Sequence, residues 1–412
     1  MNNAPRNNDR CLKPMAKWGM RNIACLCCLL FIQGALAQNQ QPLTLLVDHN
    51  LKYHAVGLES VTESVVGFFD RQWSYQELPR NQVLQLRNIE DRSVEPLSAS
   101  AQKAMLTLTD GQRFVGTMQL IENQENRKDP SVVHWYSPML GPIAVPLDRV
   151  KTIAFIPSLR SQTSQKDDRV RLVNGDELSG FLLKINHQAL ELELANQTAA
   201  TKIDLDQVTF IELANPRVEN TSPMQHIYFV DGTILHCQEV LLNRQMLFVT
   251  GTHWQSHHKI PMREIVRIDL ASRKHHITSL THEPYEILSG AQAFGVNLPP
   301  HLSDDAIQLH APLSIRFNLP KGATRFTANA QINWQDTDPP RARSWTDFVL
   351  KIFIDDKLTY DQQFNSQFQQ QRLNLLIPNH SKHITLKLFA GLNGPVMDRL
   401  RLMEPVVLIE NK

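Results

Sequence analysis

A hairpin signature recurs along this chain at a nearly fixed period, and it limits the possible folds more than any other feature. Asp110-Gly111, Asn174-Gly175 and Asp231-Gly232 each follow a run of alternating apolar and polar residues and lead into another. Asx-Gly dipeptides tolerate the positive φ angles of tight hairpin turns, and period-two alternation is the pattern of half-buried strands. Each copy closes on a similar apolar segment, at 150–153, 208–211 and 265–268. That segment begins 33 residues after the turn glycine in the second and third copies and 39 after it in the first, where a polar insertion surrounds residues 125–130. Repetition on this scale predicts tandem strand modules, not one large catalytic domain. Residues 40–95 carry similar strand-like runs and read as a degenerate further copy, an irregular cap on the array.

The chain has 42 Lys and Arg against 41 Asp and Glu, but the balance is uneven. Residues 1–37 hold five of the basic residues, an apolar run over 23–32 and Ala35-Leu36-Ala37, the pattern of an export signal cleaved after Ala37. A retained signal anchor is the alternative. Beyond residue 37 the count is 37 basic to 40 acidic, so the mature chain is slightly acidic and is expected not to bind nucleic acid. The reading is of an exported protein, periplasmic or extracellular, with no transmembrane segment in its mature part. Only Cys237 remains after the leader, so no disulfide framework is expected and cores must hold the modules together.

These signals divide the chain into a signal at 1–37, a degenerate module at 38–98, three repeats at 99–160, 166–215 and 224–272, and a final unit at 280–412. Residues 273–276 read as the start of a linker, and short helical runs are expected around 98–104 or 304–307, neither long enough to organise a domain. The last unit shows seven or eight alternating strands with regular turns, the pattern of one antiparallel sandwich. The expected fold is therefore all-β: tandem small β-barrel-like modules followed by a jelly-roll-like β-sandwich.

Within that last unit, the run from Leu309-His310-Ala311-Pro312 to Phe317, the run Gly322 to Phe326 and Ala328, and the segments Phe353 to Asp356 and Thr385 to Leu388 carry a resemblance. Residues 285–410 resemble the NPCBM family, the novel putative carbohydrate-binding module. Ala330-Gln331-Ile332 stands where members usually carry a glycine. The resemblance implies a sandwich that binds carbohydrate, in an exported bacterial protein whose tandem repeats precede it.

The chain lacks a nucleophile elbow, a phosphate loop, a dinucleotide fingerprint and a His-Glu-x-x-His motif, so no enzymatic activity and no cofactor are expected. His253, His257 and His258 form the densest imidazole cluster, but no cysteine or carboxylate lies near them in sequence and no metal site is expected. A sugar site needs an aromatic platform for the apolar face of a pyranose and charged or amide groups for its hydroxyls. Trp334, Trp345 and Tyr360, with Asp336, Asp338, Arg341 and Arg343 in the loop between, are the candidates. The expected partner is a glycan or a cell-envelope protein. The alternative is a structural or assembly protein whose repeats make protein contacts without sugar affinity.

Overall fold

Alternation fixes the secondary structure. In the second repeat, the third unit of the array, the strands Asp168–Leu172, Glu177–Ile185, Ala189–Leu194, Thr201–Asp204 and Val208–Glu212 follow one another as an antiparallel meander. The fifth strand returns to pair with the first, Val170 opposite Ile211. The computed structural model describes residues 43–88, 104–119, 132–156, 166–194, 199–216, 218, 224–251, 257–272, 274–290, 292–293, 296–303 and 305–410. The export signal, the polar insertion near 125–130, His253 and Asp304 lie outside the described residues. Four such units precede a β-sandwich, the fourth with its second strand broken into Ile234–Cys237 and Glu239–Asn243, so the all-β class stands.

One backbone device repeats in all four units. Gly111, Gly175 and Gly232 adopt φ of 90°, 91° and 90° at the first turn, and Leu51 takes the same place in the first unit with φ 58°. A short 3₁₀ turn, Arg80–Gln82, Leu147–Arg149, Leu205–Gln207 or Met262–Glu264, precedes each closing strand. The last carbonyl of each 3₁₀ turn accepts the backbone N–H of a residue in the first turn, from His49, Thr109, Val173 and Val230 in chain order, at 2.8–3.0 Å. Each hairpin is thereby locked to the strand that closes its unit.

The closing strand still has a second edge, and an unpaired edge invites aggregation. The units cover it by pairing with each other. Val150–Ala154 pairs antiparallel with Val208–Glu212, Ile153 opposite Ile211, and Val83–Asn88 pairs with Ile265–Asp269, Leu86 opposite Ile268. In both cases the fourth residue of one closing strand faces the fourth residue of the other, so equivalent residues meet about a local two-fold axis. All four of these side chains are fully buried. A second two-fold contact joins the second and fourth units at their turns. There Val115 N donates to Thr233 Oγ1 while His236 N donates to Gln112 Oε1. One continuous apolar cluster runs through all four units, from Leu46 and Leu106 to Val170 and Ile227. Cys237 belongs to it, and burial pushes its thiol up to about 12.

Two layers form the sandwich. One orders His301–Leu302, Ala306–His310, Arg399–Glu410, Ala323–Ile332 and Gln370–Leu376; the other orders Tyr285–Gly290, Leu313–Asn318, His383–Ala390, Asp347–Ile354 and Lys357–Asn365. Their inner faces enclose Phe317, Phe326, Phe348 and Phe364, each fully buried. Two sequence expectations fail here. Residues 275–276 do not belong to a linker: the strand His275–Ser279 pairs with Arg399–Glu410, because that twelve-residue strand offers a free edge beyond Met403, while Arg273 lies outside the described residues. Residues 306–310 are strand, not helix, because pairing with residues 399–403 buries Ala306, Ile307 and Leu309 together, which a single helical turn could not do.

The sandwich docks on the first unit. Val47, Leu51, Leu84, Ile277 and Leu408 form a small apolar cluster between them, with Tyr53 packed against it. Beside it, the Arg372 guanidinium stacks 3.6 Å from the centroid of the Tyr53 ring, and Arg87 pairs with Glu404. The polar chain continues from Arg87 Nε to Gln85, from Gln85 to Asp269, and from Asp269 to Arg267 stacked on Tyr228. It therefore runs from the sandwich through the first unit into the fourth. The third unit differs: its turn face is bare, with Val173 67% exposed and Asp176 exposed as well, whereas Gln112 and Thr233, the counterparts of Asp176, are fully buried at the second–fourth contact; Phe181 on the following strand is 65% exposed.

On the fourth unit His226 stacks on His236 with ring centroids 4.1 Å apart and lies opposite Asp269. Burial, aided by Arg267, His282 and His276 and opposed by Asp269, holds the His226 pKa below its ordinary 6.5. As pH falls through 6.5 the unfolded chain takes up a proton that the folded chain resists, so His226 makes stability fall on acidification and contributes no slope well above that pH. Melting temperatures recorded from neutral pH to about pH 5 should fall less steeply in His226→Gln than in the parent.

Candidate functional site

The loop after strand Ala323–Ile332 is pinned at several points. Asn333 N donates to the Arg399 carbonyl at 2.8 Å, and its side chain donates to Gln308. Asp338 accepts the Gln335 N–H at 2.6 Å and pairs with Arg399, whose hydrogen bond holds the Asp338 carboxyl below the usual carboxylate range. Pro339 and Pro340 then start the single-turn helix Pro340–Arg343, proline being preorganised for a first helical position. This fold-back brings Arg343 over Trp334.

Trp334 is half-buried against the sandwich core, and its Nε1 donates to Thr346 Oγ1 at 3.0 Å. The Arg343 guanidinium carbon lies 5.6 Å from the centroid of the Trp334 ring, within cation–π range. Arg343 Nη2 donates to the Gln335 carbonyl at 3.2 Å, while its Nε is buried without a hydrogen-bond partner among the described residues.

Facing this loop is the turn that joins Lys357–Asn365 to Gln370–Leu376. Asn365 Oδ1 accepts the N–H groups of Gln367 and Phe368 at 2.9 and 3.0 Å, an Asx turn. Phe368 packs inward edge-on to Phe364, which stacks on Phe348. With the phenyl ring as the anchor, Gln367 and Gln369 are left exposed on either side of it. An open cleft of about 600 Å³ results, in the range of small-molecule sites. It is lined by Trp334, Asp336 and Arg343 on one side, by Gln367, Phe368, Gln369 and Gln370 on the other, and by Gln331 and Ile332 at its floor.

The sequence candidates thus separate. Trp334, Asp336 and Arg343 converge on the cleft. Asp338 is consumed by Arg399, and Arg341 is exposed on the short helix. Trp345 is 53% exposed and does not line the cleft; its carbonyl accepts the Asn393 side chain. Tyr360 lies on a different strand, bonded to Gln371 at 2.6 Å, with burial pushing its pKa up to about 12. The glutamines escaped the sequence reading, although Gln367, Gln369, Gln370 and Gln371 stand almost together in the chain. Among the described residues no group of three His, Cys, Asp or Glu side chains converges to hold a metal ion, and no helix is long and apolar enough to cross a membrane.

No family model matches this chain, and no curated protein matches it. Solved structures to which it is similar include a CBM51 module from Clostridium perfringens GH95 in complex with methyl-galactose. That match has 13% identity and a TM-score of 0.22, and covers 25% of this chain and 70% of that one. Another is CBM51-2 with INT domains from Clostridium perfringens ZmpB, in complex with GlcNAc, at 18% identity, a TM-score of 0.25, and 53% and 45% coverage. A third is the tandem CBM51 modules of a family 98 glycoside hydrolase from Streptococcus pneumoniae, at 10% identity, a TM-score of 0.23, and 92% and 91% coverage. Likeness at this level assigns neither a family nor a ligand.

Asp398 holds the loops at this end of the sandwich. It is fully buried and accepts the N–H groups of Asp347 and Gly391, while its own carbonyl accepts that of Ala311. Burial raises its pKa. Asp398→Ala strands two backbone donors and should cost about 1–3 kcal/mol in urea denaturation, since each buried unpaired donor carries its desolvation penalty.

Proposed function

We propose that this chain is a non-catalytic exported protein that binds carbohydrate in the cleft between Trp334 and Gln367. The observation that carries the reading is the lining itself. Side-chain amides can both donate to and accept from sugar hydroxyls, and a cleft with four glutamines, one carboxylate, one guanidinium and an indole offers that chemistry on a rigid sandwich. The roles proposed for the remaining groups differ from a simple stacking platform. Arg343 covers one face of Trp334, so the indole acts as a wall and as a support for the guanidinium.

The full chain, screened against a broad panel of immobilised polysaccharides, should retain at least one of them. Gln367→Ala and Gln370→Ala should each weaken binding by about 3–10-fold, the loss of one or two neutral hydrogen bonds, while leaving the melting temperature unchanged. Retention of no polysaccharide would overturn the proposal.

One observation favours a second reading, an assembly role for the strand units. The turn residues Gln112 and Thr233 of the second and fourth units are buried against one another and Leu51 of the first against the sandwich, while Val173 and Asp176 of the third are exposed, with Phe181 exposed on the strand that follows. In that case Phe181→Asp should abolish concentration-dependent self-association in sedimentation velocity. A parent chain that stays monomeric at all concentrations argues against self-assembly.

A further inference from the structure

We infer that the saccharide taken by this cleft is an acidic one, a uronic acid unit whose carboxylate is gripped by Arg343. This rests on the carbohydrate-binding reading of the same cleft and narrows it to a ligand class.

The charge arrangement is the starting point. Arg343 and Arg399 flank the loop that carries Trp334, and they are treated differently. Arg399 is matched by Asp338. Arg343 makes no salt bridge among the described residues, although it is half-buried and its Nε is cut off from solvent without a partner. The Asp338 carboxylate feels the charge of Arg343 but is already bonded to Arg399, so a ligand that brings a carboxylate of its own gives the partly desolvated guanidinium a partner.

The local geometry prepares the group for such a ligand. Trp334 supports the guanidinium from one side, and the Gln335 carbonyl holds Nη2 from another. An arginine restrained in this way has already lost part of its rotamer freedom, and its planar fork matches a carboxylate through two parallel hydrogen bonds. The other cleft groups suit the rest of a sugar ring: the glutamines are neutral and fit hydroxyls, not charges. Asp336, exposed at the rim, limits how much negative charge the cleft tolerates. One carboxylate on Arg343 leaves the site with a single net negative charge from Asp336, whereas a dianionic phosphate ester would double it.

Titration calorimetry on the full chain tests the inference. The probes are galacturonate, glucuronate and mannuronate oligosaccharides, the same oligosaccharides after carboxyl reduction, and a sulfated galactan. A uronate oligosaccharide should bind about tenfold or more tightly than its carboxyl-reduced form, and the difference should shrink as salt is raised. Arg343→Gln should erase that preference while keeping the affinity for the reduced form, and Arg343→Lys should restore only part of it, because an ammonium keeps the charge without the fork. An unchanged melting temperature shows that each variant is folded. Equal binding of acid and reduced forms overturns the acidic-ligand inference and leaves carbohydrate binding standing, as does binding of the sulfated galactan alone. Failure of every probe, together with failure of the polysaccharide panel, overturns both.

Discussion

Hydrogen bonding at the second edge of each closing strand is the constraint on which the rest of the array depends. A five-strand unit of this size has a small core and leaves a strand edge open, and neither condition favours an isolated unit. Pairing the edges joins first to fourth and second to third, with Leu86 opposite Ile268 and Ile153 opposite Ile211. Neighbours in sequence are thus not always partners in space. The turn-to-turn exchange of hydrogen bonds between the second and fourth units then ties the two pairs into one body with a shared apolar cluster.

That body gives the sandwich a fixed seat. The strand Gln370–Leu376 begins with Gln370 in the cleft and carries Arg372 to the stack on Tyr53, so the cleft wall and the docking seam share one strand. A polar chain of this kind adds little net stability, because desolvation offsets much of the attraction between buried charges. The apolar cluster of Leu51, Leu84, Ile277 and Leu408 supplies the burial that the ion pairs do not.

Strand alternation and the Asx-Gly turns made the architecture legible, since both are local and both mean the same thing wherever they occur. What was not legible was non-local. Nothing near residues 275–279 reveals that a twelve-residue strand at the far end of the chain has a free edge for them. The same holds for residues 306–310, where a partner strand overrides a short helical preference. At the cleft, an indole and a guanidinium nine residues apart could be read as candidates from type alone, and they do meet. Trp345 and Tyr360 looked equally suitable by type and lie outside the cleft. The glutamines carry no signal by themselves, because a run of amides reads as a solvated loop until Asn365 and Phe368 are seen to fold it into a wall.

Leu51 shows what sets one copy apart from its siblings. The other three units place a glycine at this left-handed position and so present no side chain there. Holding a leucine in that conformation costs about 1–2 kcal/mol, and burying its side chain against Ile277 and Leu408 returns about 1.5–3 kcal/mol. Four near-equal units could otherwise compete for the same berth. A single methyl-tipped branch thus marks the first unit, and the socket that receives it is formed with the sandwich residues Ile277 and Leu408.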